Sequence, residues 1–178
     1  MTLRQAQDTE TMWEGRFIRA LRQGKWEYVS RARDIRAVVI LAEHDGKVIL
    51  VEQDRIPIGR PCLELPAGLI GDDDENADVE DTAIKELEEE TGFTAERIER
   101  LGEYYSSPGM VSESFTLVRA HGLTRVGEGG GVAGHEEIEV HLVERETIAG
   151  FVERRRAAGI AIDVRLLLLL GGALLDQA

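Results

Sequence analysis

Short runs in which apolar and polar residues alternate recur along most of the chain. Val and Ile are densest in 35–42 and 47–53, and His44-Asp45-Gly46 lies between these two runs. Alternation with a period of two predicts strands, and Asp-Gly between two such runs favours a hairpin. Residues 1–12 are polar and are predicted to be frayed. The other predicted strands are 17–21, 25–31, 62–65, 98–106, 113–120 and 138–143.

Three stretches have helical periodicity instead. The first carries an apolar stripe at helical spacing, made of Val79, Ala83, Ile84 and Leu87. Asn76 or Asp78 can cap its start and Gly92 can end it, which predicts a helix of about 14–16 residues. The other predicted helices are 145–158 and 160–176. The second of these is rich in leucine, but it is short of the roughly 20 apolar residues that span a membrane, so a buried helix is predicted.

Many strands and three helices predict an α/β fold built in layers. A chain of 178 residues fits one domain. The predicted organisation is a single domain, 1–178, in which 1–33 form an N-terminal antiparallel hairpin arm and 34–178 form the core.

The net charge of the chain limits the classes of binding partner. Acidic residues number 34 against 21 basic ones, for a formal net charge of −13. This balance disfavours nucleic-acid binding, which needs a basic surface, but permits a small anionic nucleotide whose phosphates are bound by metal ions. The single Cys62 cannot form an internal disulfide, and Met1–Gln5 lacks the apolar core of a signal peptide. A cytoplasmic protein is expected.

Carboxylates are concentrated on one face of the first predicted helix. Glu86, Glu89 and Glu90 share that face because residues three and four apart are neighbours, whereas Glu88 points elsewhere. Like charges at this spacing repel, and a hard divalent cation with oxygen ligands would compensate. A solvated acidic face is the alternative interpretation.

The segment around this helix resembles a known family. Pro66-Ala67-Gly68 followed by Lys85-Glu86-Leu87-Glu88-Glu89-Glu90-Thr91-Gly92-Phe93 is similar to the Nudix box, G-x5-E-x7-R-E-U-x-E-E-x-G-U, in which U is apolar. Lys85 stands where the family has Arg. The spacing from Gly68 to Lys85 is three residues longer, and the extra length lies in 72–78, where Glu75 is nearest to the first box glutamate. The resemblance implies an α/β/α sandwich with a mixed sheet that hydrolyses a nucleoside diphosphate linked to another group, with Mg²⁺ or Mn²⁺.

The resemblance also implies roles for individual residues. Glu86 and Glu90 match metal ligands, together with the main-chain carbonyl of Ala67. Glu89 matches a shared ligand or a residue that orients the attacking water. Lys85 would replace the arginine that braces a box glutamate, although Lys cannot form the two-pronged contact of a guanidinium.

The subgroup that the chain most resembles is ADP-ribose pyrophosphatase. The matching pieces are Trp26-Glu27-Tyr28-Val29-Ser30-Arg31, Glu52-Gln53-Asp54-Arg55, Ser107-Pro108-Gly109 and Ser112-Glu113. By this resemblance Trp26 stacks on the base, although it could simply pack in the hairpin. Arg31, Arg55 and Glu113 are implied in substrate binding, with Arg33 as a weaker candidate.

A late metal ligand is implied near the glycine-rich stretch 127–134, which is predicted to be mobile. Glu136 is the best positional match. The catalytic base of some relatives has no counterpart near Gly134, so Glu137, His135 or hydroxide on the metal could take that part.

The resulting hypothesis is metal-dependent hydrolysis of ADP-ribose or a related nucleoside diphosphate sugar to a nucleoside monophosphate and a sugar phosphate. A GDP-sugar pyrophosphatase acting on GDP-mannose or a similar compound, and a nucleotide-sensing module without turnover, are the alternatives. No nucleic acid or membrane partner is expected, and the resemblance implies a homodimer formed through the N-terminal sheet.

Overall fold

A computed structural model describes residues 8–33, 35–71, 77–131 and 137–175, the last four of them by their backbone alone. The strands are β1 Glu10–Glu14, β2 Ile18–Gln23, β3 Trp26–Arg31, β4 Arg36–His44, β5 Lys47–Arg55, β6 Arg60–Glu64, β7 Ala67–Ile70, β8 Phe93–Thr94, β9 Arg97–Tyr105, β10 Ser114–His121, β11 Thr124–Arg125, β12 Ile138–Glu144 and β13 Ala161–Ile162. The α-helices are α1 Val79–Thr91, α2 Ile148–Ala157 and α3 Leu167–Leu175. Three short 3₁₀ turns are Ile56–Ile58, Arg145–Thr147 and Val164–Leu166.

The N-terminal arm is a three-stranded antiparallel sheet in the order β1-β2-β3. The predicted hairpin is confirmed, but the prediction of a frayed start is wrong for residues 10–12, which lie in β1, where Glu10 and Thr11 pair with β2. The arm joins the core through Val29. Its N–H donates to the Met110 carbonyl (2.9 Å), and its carbonyl accepts from the Ser112 N–H (2.9 Å).

The core is a mixed sheet in the order β13-β6-β5-β4-β10-β9, with β12 added to β5 and β7 added to β4. Two pairs, β4 with β10 and β6 with β13, are parallel. The other pairs are antiparallel. A separate small sheet joins β8 to β11.

Helices cover both faces of this sheet. Along β4, Val38 and Ile40 belong to a buried cluster with Ala83 and Leu87 of α1. Val39, on the other face, belongs to a second cluster with residues of α2 and α3. Because successive strand side chains point to opposite faces, one apolar strand serves both layers. The expected α/β/α sandwich is confirmed.

The C-terminal region differs from the single helix predicted for 160–176. Ala161–Ile162 forms β13 beside β6, a 3₁₀ turn follows, and α3 begins only at Leu167. The Asp163 carboxylate accepts from the Arg165 N–H (2.7 Å), which caps the turn and separates strand from helix. Leu166 and Leu170 are buried against the sheet, but Leu167 and Leu168 are exposed, so the predicted burial holds for one face of this segment only. In the part of the chain that the structure describes, no helix has the length and apolarity to cross a membrane.

Both ends of α1 are capped. At the N-terminus the Asp78 carboxylate accepts from the Asp81 N–H (2.8 Å), and at the C-terminus Gly92 has a φ of 76°. The N–H groups of Gly130 and Gly131 donate to the carbonyls of Glu90 (2.9 Å) and Glu89 (3.0 Å). The described part of the glycine-rich stretch is therefore hydrogen-bonded to the last turn of α1.

We expect Gly129→Ala to destabilise the fold. Gly129 has a φ of 70°, and a Cβ there would overlap the backbone of Thr91. The unfavourable conformation and the overlap together should lower the free energy of unfolding by more than about 1 kcal/mol. Urea denaturation measures this change. Gly109→Ala is the control, because a Cβ there meets nothing within 4 Å; equal effects of the two substitutions would contradict the expectation.

Candidate active site

A cleft of about 650 Å³ opens where α1 and the β6–β7 region meet β10, the N-terminal sheet and the segment after α2. Charged side chains dominate its walls. They are Arg31, Arg55, Glu64, Glu86, Glu90, Glu113, Asp163 and Arg165.

Two carboxylates of α1 lie at the start of β7. The Glu86 side chain lies directly against Gly68, where any Cβ would overlap its Cγ, Cδ and Oε1 atoms. The buried Glu90 accepts a hydrogen bond from the Ala67 N–H through Oε2 (3.0 Å). Because α1 packs on β7, these carboxylates and the main chain of Ala67 and Gly68 share one wall of the cleft. Carboxylate and carbonyl oxygens are the ligands that Mg²⁺ prefers, so these residues fit a hard divalent cation.

The other box residues lie differently. Glu89 is half-buried and does not line the cleft, although its carbonyl accepts from Gly131. Lys85 is exposed and also lies away from the cleft walls. Glu136, His135 and Glu75 lie outside the described residues.

The Arg55 guanidinium is held by a buried carboxylate. It donates to both oxygens of Glu64, from Nε (2.6 Å) and from Nη2 (2.8 Å). Arg165 donates to the same carboxylate (3.1 Å) and, through Nε (2.7 Å) and Nη2 (2.7 Å), to Asp163. The hydrogen bonds to Glu64 raise the pKa of Arg55. Burial opposes ionisation of Asp163, but the hydrogen bonds from Arg165 hold the pKa of Asp163 below its usual value.

Arg31 and Glu113 also line the cleft. Arg31 Nε donates to Glu113 Oε1 (2.6 Å), and both side chains are half-buried. Trp26, at the other end of β3, is 56% exposed and does not line the cleft of its own chain. A single chain therefore brings Arg31 and Glu113 to the cleft without Trp26.

The cleft also contains the thiol of Cys62. Burial and the nearby carboxylates Glu64 and Asp163 raise the pKa of Cys62 to about 12. The thiol is therefore protonated at neutral pH, which disfavours thiolate chemistry.

Sequence reasoning missed Glu64, Asp163 and Arg165 as residues of the cleft. Glu64 carried a signal, because it is a lone charge in the apolar run Cys62-Leu63-Glu64-Leu65. A charge buried in such a run needs a partner of opposite sign. Asp163 and Arg165 carried no such signal, because both fall inside the predicted helix 160–176.

Comparisons with known proteins identify the family of the chain. The model of the NUDIX domain matches residues 32–160. The ADP-ribose pyrophosphatase of Bacillus subtilis is 38% identical over 120 residues, which cover 67% of this chain and 63% of that protein. The GDP-mannose pyrophosphatase of Cronobacter sakazakii is 33% identical over 143 residues, covering 75% and 70% of the two chains.

A solved structure supports the fold. The crystal structure of an ADP compounds hydrolase superposes with a TM-score of 0.66 at 21% identity, covering 100% of this chain and 98% of that one. The match to the domain model extends over most of the chain, from the end of the N-terminal arm past α2. The proteins to which the chain is similar thus include an ADP-ribose pyrophosphatase, and the chain belongs to the Nudix family of hydrolases.

Proposed function

We propose that this enzyme hydrolyses the pyrophosphate bond of ADP-ribose or a related nucleoside diphosphate sugar, with Mg²⁺ or Mn²⁺, to give AMP or another nucleoside monophosphate and a sugar phosphate. The observation that carries the proposal is the wall formed by Glu86, Glu90 and Ala67, which faces a cleft lined by three arginines. The similarity to an ADP-ribose pyrophosphatase supports the substrate class.

In this proposal Glu86 and Glu90 hold the metal with the Ala67 carbonyl. The divalent cation would neutralise charge on the diphosphate and lower the pKa of a bound water. Glu89, although it does not line the cleft of this structure, would approach that water when metal and substrate are bound, and Lys85 would brace a box glutamate. Glu136, from the segment before β12, would be the late metal ligand.

The arginines would position the diphosphate. Arg55 is held by Glu64, and Arg31 by Glu113, so each guanidinium is oriented before substrate enters. Among the described residues, no hydrogen bond uses Nη1 of Arg55, which leaves that donor for a phosphate oxygen. Preorganised cations of this kind stabilise phosphoryl charge without rearrangement.

A second candidate is hydrolysis of a GDP-sugar, since the similarity to a GDP-mannose pyrophosphatase extends over 75% of this chain. A sensor module without turnover is the third. Measuring kcat/KM on ADP-ribose, GDP-mannose and ADP-glucose with Mg²⁺, with phosphatase-coupled phosphate release, separates the three. No release from any of these substrates would rule out both enzymatic candidates.

We expect Glu90→Gln to lower kcat/KM on the best of these substrates by at least about a thousandfold, because it removes a charged metal ligand. A sensor would lose only metal-assisted affinity. Glu88→Gln is the matched control, since Glu88 is exposed on another face of the same helix and should retain full activity. Similar rates for the two variants would contradict the assignment.

We expect Glu64→Gln to raise KM more than it lowers kcat, because Arg55 and Arg165 lose the carboxylate that orients them. Glu64 is only 2% exposed, so unpairing two guanidinium groups there should also cost roughly 3 kcal/mol of unfolding free energy. Steady-state kinetics and urea denaturation measure the two effects. Glu153→Gln, which breaks an exposed pair with Arg156 on α2 (3.4 Å), should change neither. An unchanged KM in Glu64→Gln would refute this role of Glu64.

We also propose a homodimer formed through the N-terminal sheet, in which Trp26 reaches the cleft of the second chain. The support is the set of large apolar side chains that this sheet exposes: Met12, Trp13, Phe17, Ile18 and Trp26. Exposed apolar patches of this kind mark interaction surfaces.

Sedimentation velocity should give twice the mass of one 19.7 kDa chain. Trp13→Glu should yield monomers with a raised KM, because a charge is buried at the interface. Leu142→Glu, at an exposed leucine of β12, should leave the dimer intact. A monomeric wild-type protein whose KM is unaffected by Trp26→Ala would refute both the dimer and the stacking role.

A further inference from the structure

A second group of potential metal ligands lies on the α2 side of the sheet, on residues that do not line the cleft. Glu139 of β12 is the cross-strand partner of Glu52 on β5, and His141 follows Glu139 by two positions on β12. The three side chains therefore share one face of an antiparallel pair. One ligand atom from each lies within 4.8 Å of the others.

The two glutamates require a nearby cation, because like charges directly opposite each other in a sheet are destabilising. Arg155 of α2 supplies one. Its Nε donates to Glu52 Oε2 (2.8 Å), its Nη2 contacts Glu52 Oε1, and the same Nη2 lies 3.8 Å from Glu139 Oε2. The hydrogen bond with Glu52 raises the pKa of Arg155. The position between the carboxylates is thus a cation site whose present occupant is a guanidinium.

His141 is not satisfied by this arrangement. Its Nε2 atom is fully buried and makes no hydrogen bond to any described residue. The nearest acidic oxygen, Oε2 of Glu52, is 3.6 Å away, which is too long for a hydrogen bond. It is close to the separation of about 3.4 Å between two ligands of a tetrahedral ion with bonds of about 2.1 Å. The ring of Phe151, 5.2 Å from the imidazole, restricts its orientation.

We propose that Glu52, Glu139 and His141 bind a borderline transition-metal ion such as Zn²⁺ or Co²⁺, with release of Arg155. Imidazole with carboxylates suits such ions better than Mg²⁺, and three protein ligands leave a fourth position for water. Arg155 can leave, because its side chain is 27% exposed. The site is distinct from the cleft, and the proposal holds whether or not the proposed hydrolysis is correct.

Binding of Co²⁺ tests the proposed site, because the visible absorption of bound Co²⁺ reports tetrahedral coordination by nitrogen and oxygen. The full chain is titrated with Co²⁺ in excess Mg²⁺, which occupies hard oxygen sites, and binding is followed by absorption and calorimetry. We expect one site per chain. Arg155→Met should tighten binding by about tenfold or more, because it removes the competing positive charge. His141→Asn should abolish the signal.

His121→Asn is the matched control, because His121 lies beside an exposed glutamate outside the cluster (Glu99, 2.7 Å) and its loss should not change Co²⁺ binding. Circular dichroism establishes that each variant is folded. A folded Arg155→Met protein that binds no Co²⁺ would overturn the proposal, as would equal binding by wild type and His141→Asn. Neither result bears on hydrolysis, which the Glu90→Gln assay tests separately.

Discussion

The close contact between α1 and β7 is the constraint on which the candidate active site depends. Glu86 lies where a side chain at Gly68 would otherwise be, and Glu90 accepts a hydrogen bond from the Ala67 N–H. Only a residue without Cβ allows the helix to approach so closely. The apolar stripe of α1 fixes its rotation on the sheet, so burial of Leu87 and exposure of the carboxylates to the cleft are two consequences of one packing arrangement.

Charge in the cleft is organised by pairing. Although the chain carries a net charge of −13, the arginines that line the cleft each contact a carboxylate that sets their position. Glu64 is the centre of this network, because it is buried and bonds two guanidinium groups at once. Such a carboxylate contributes orientation more than stability, since burying charges costs much of what their attraction returns. A guanidinium and carboxylates are also paired on the other face of the sheet, where Arg155 contacts both Glu52 and Glu139.

Some residues of the candidate site could be predicted from local sequence patterns, and others could not. The motif spacing brought Ala67, Glu86 and Glu90 to one wall, because strand, turn and helix are neighbours in the chain. Glu64 was readable as a charge in an apolar run, but its partners were not. Arg165 lies 101 residues away and reaches the cleft only because β13 pairs with β6.

Structure that depends on residues only a few positions apart can be predicted from the sequence alone. Period-two runs, the Asp78 cap and the left-handed Gly92 predicted the main strands and α1, since alternation and capping depend on immediate neighbours. Strands β1, β7, β8, β11 and β13 escaped prediction because their formation depends on partners supplied by other segments. The exposure of Trp26 and the ion pairs of Glu64 likewise depend on packing between segments that are far apart in the chain. This tertiary packing outweighs local conformational preference.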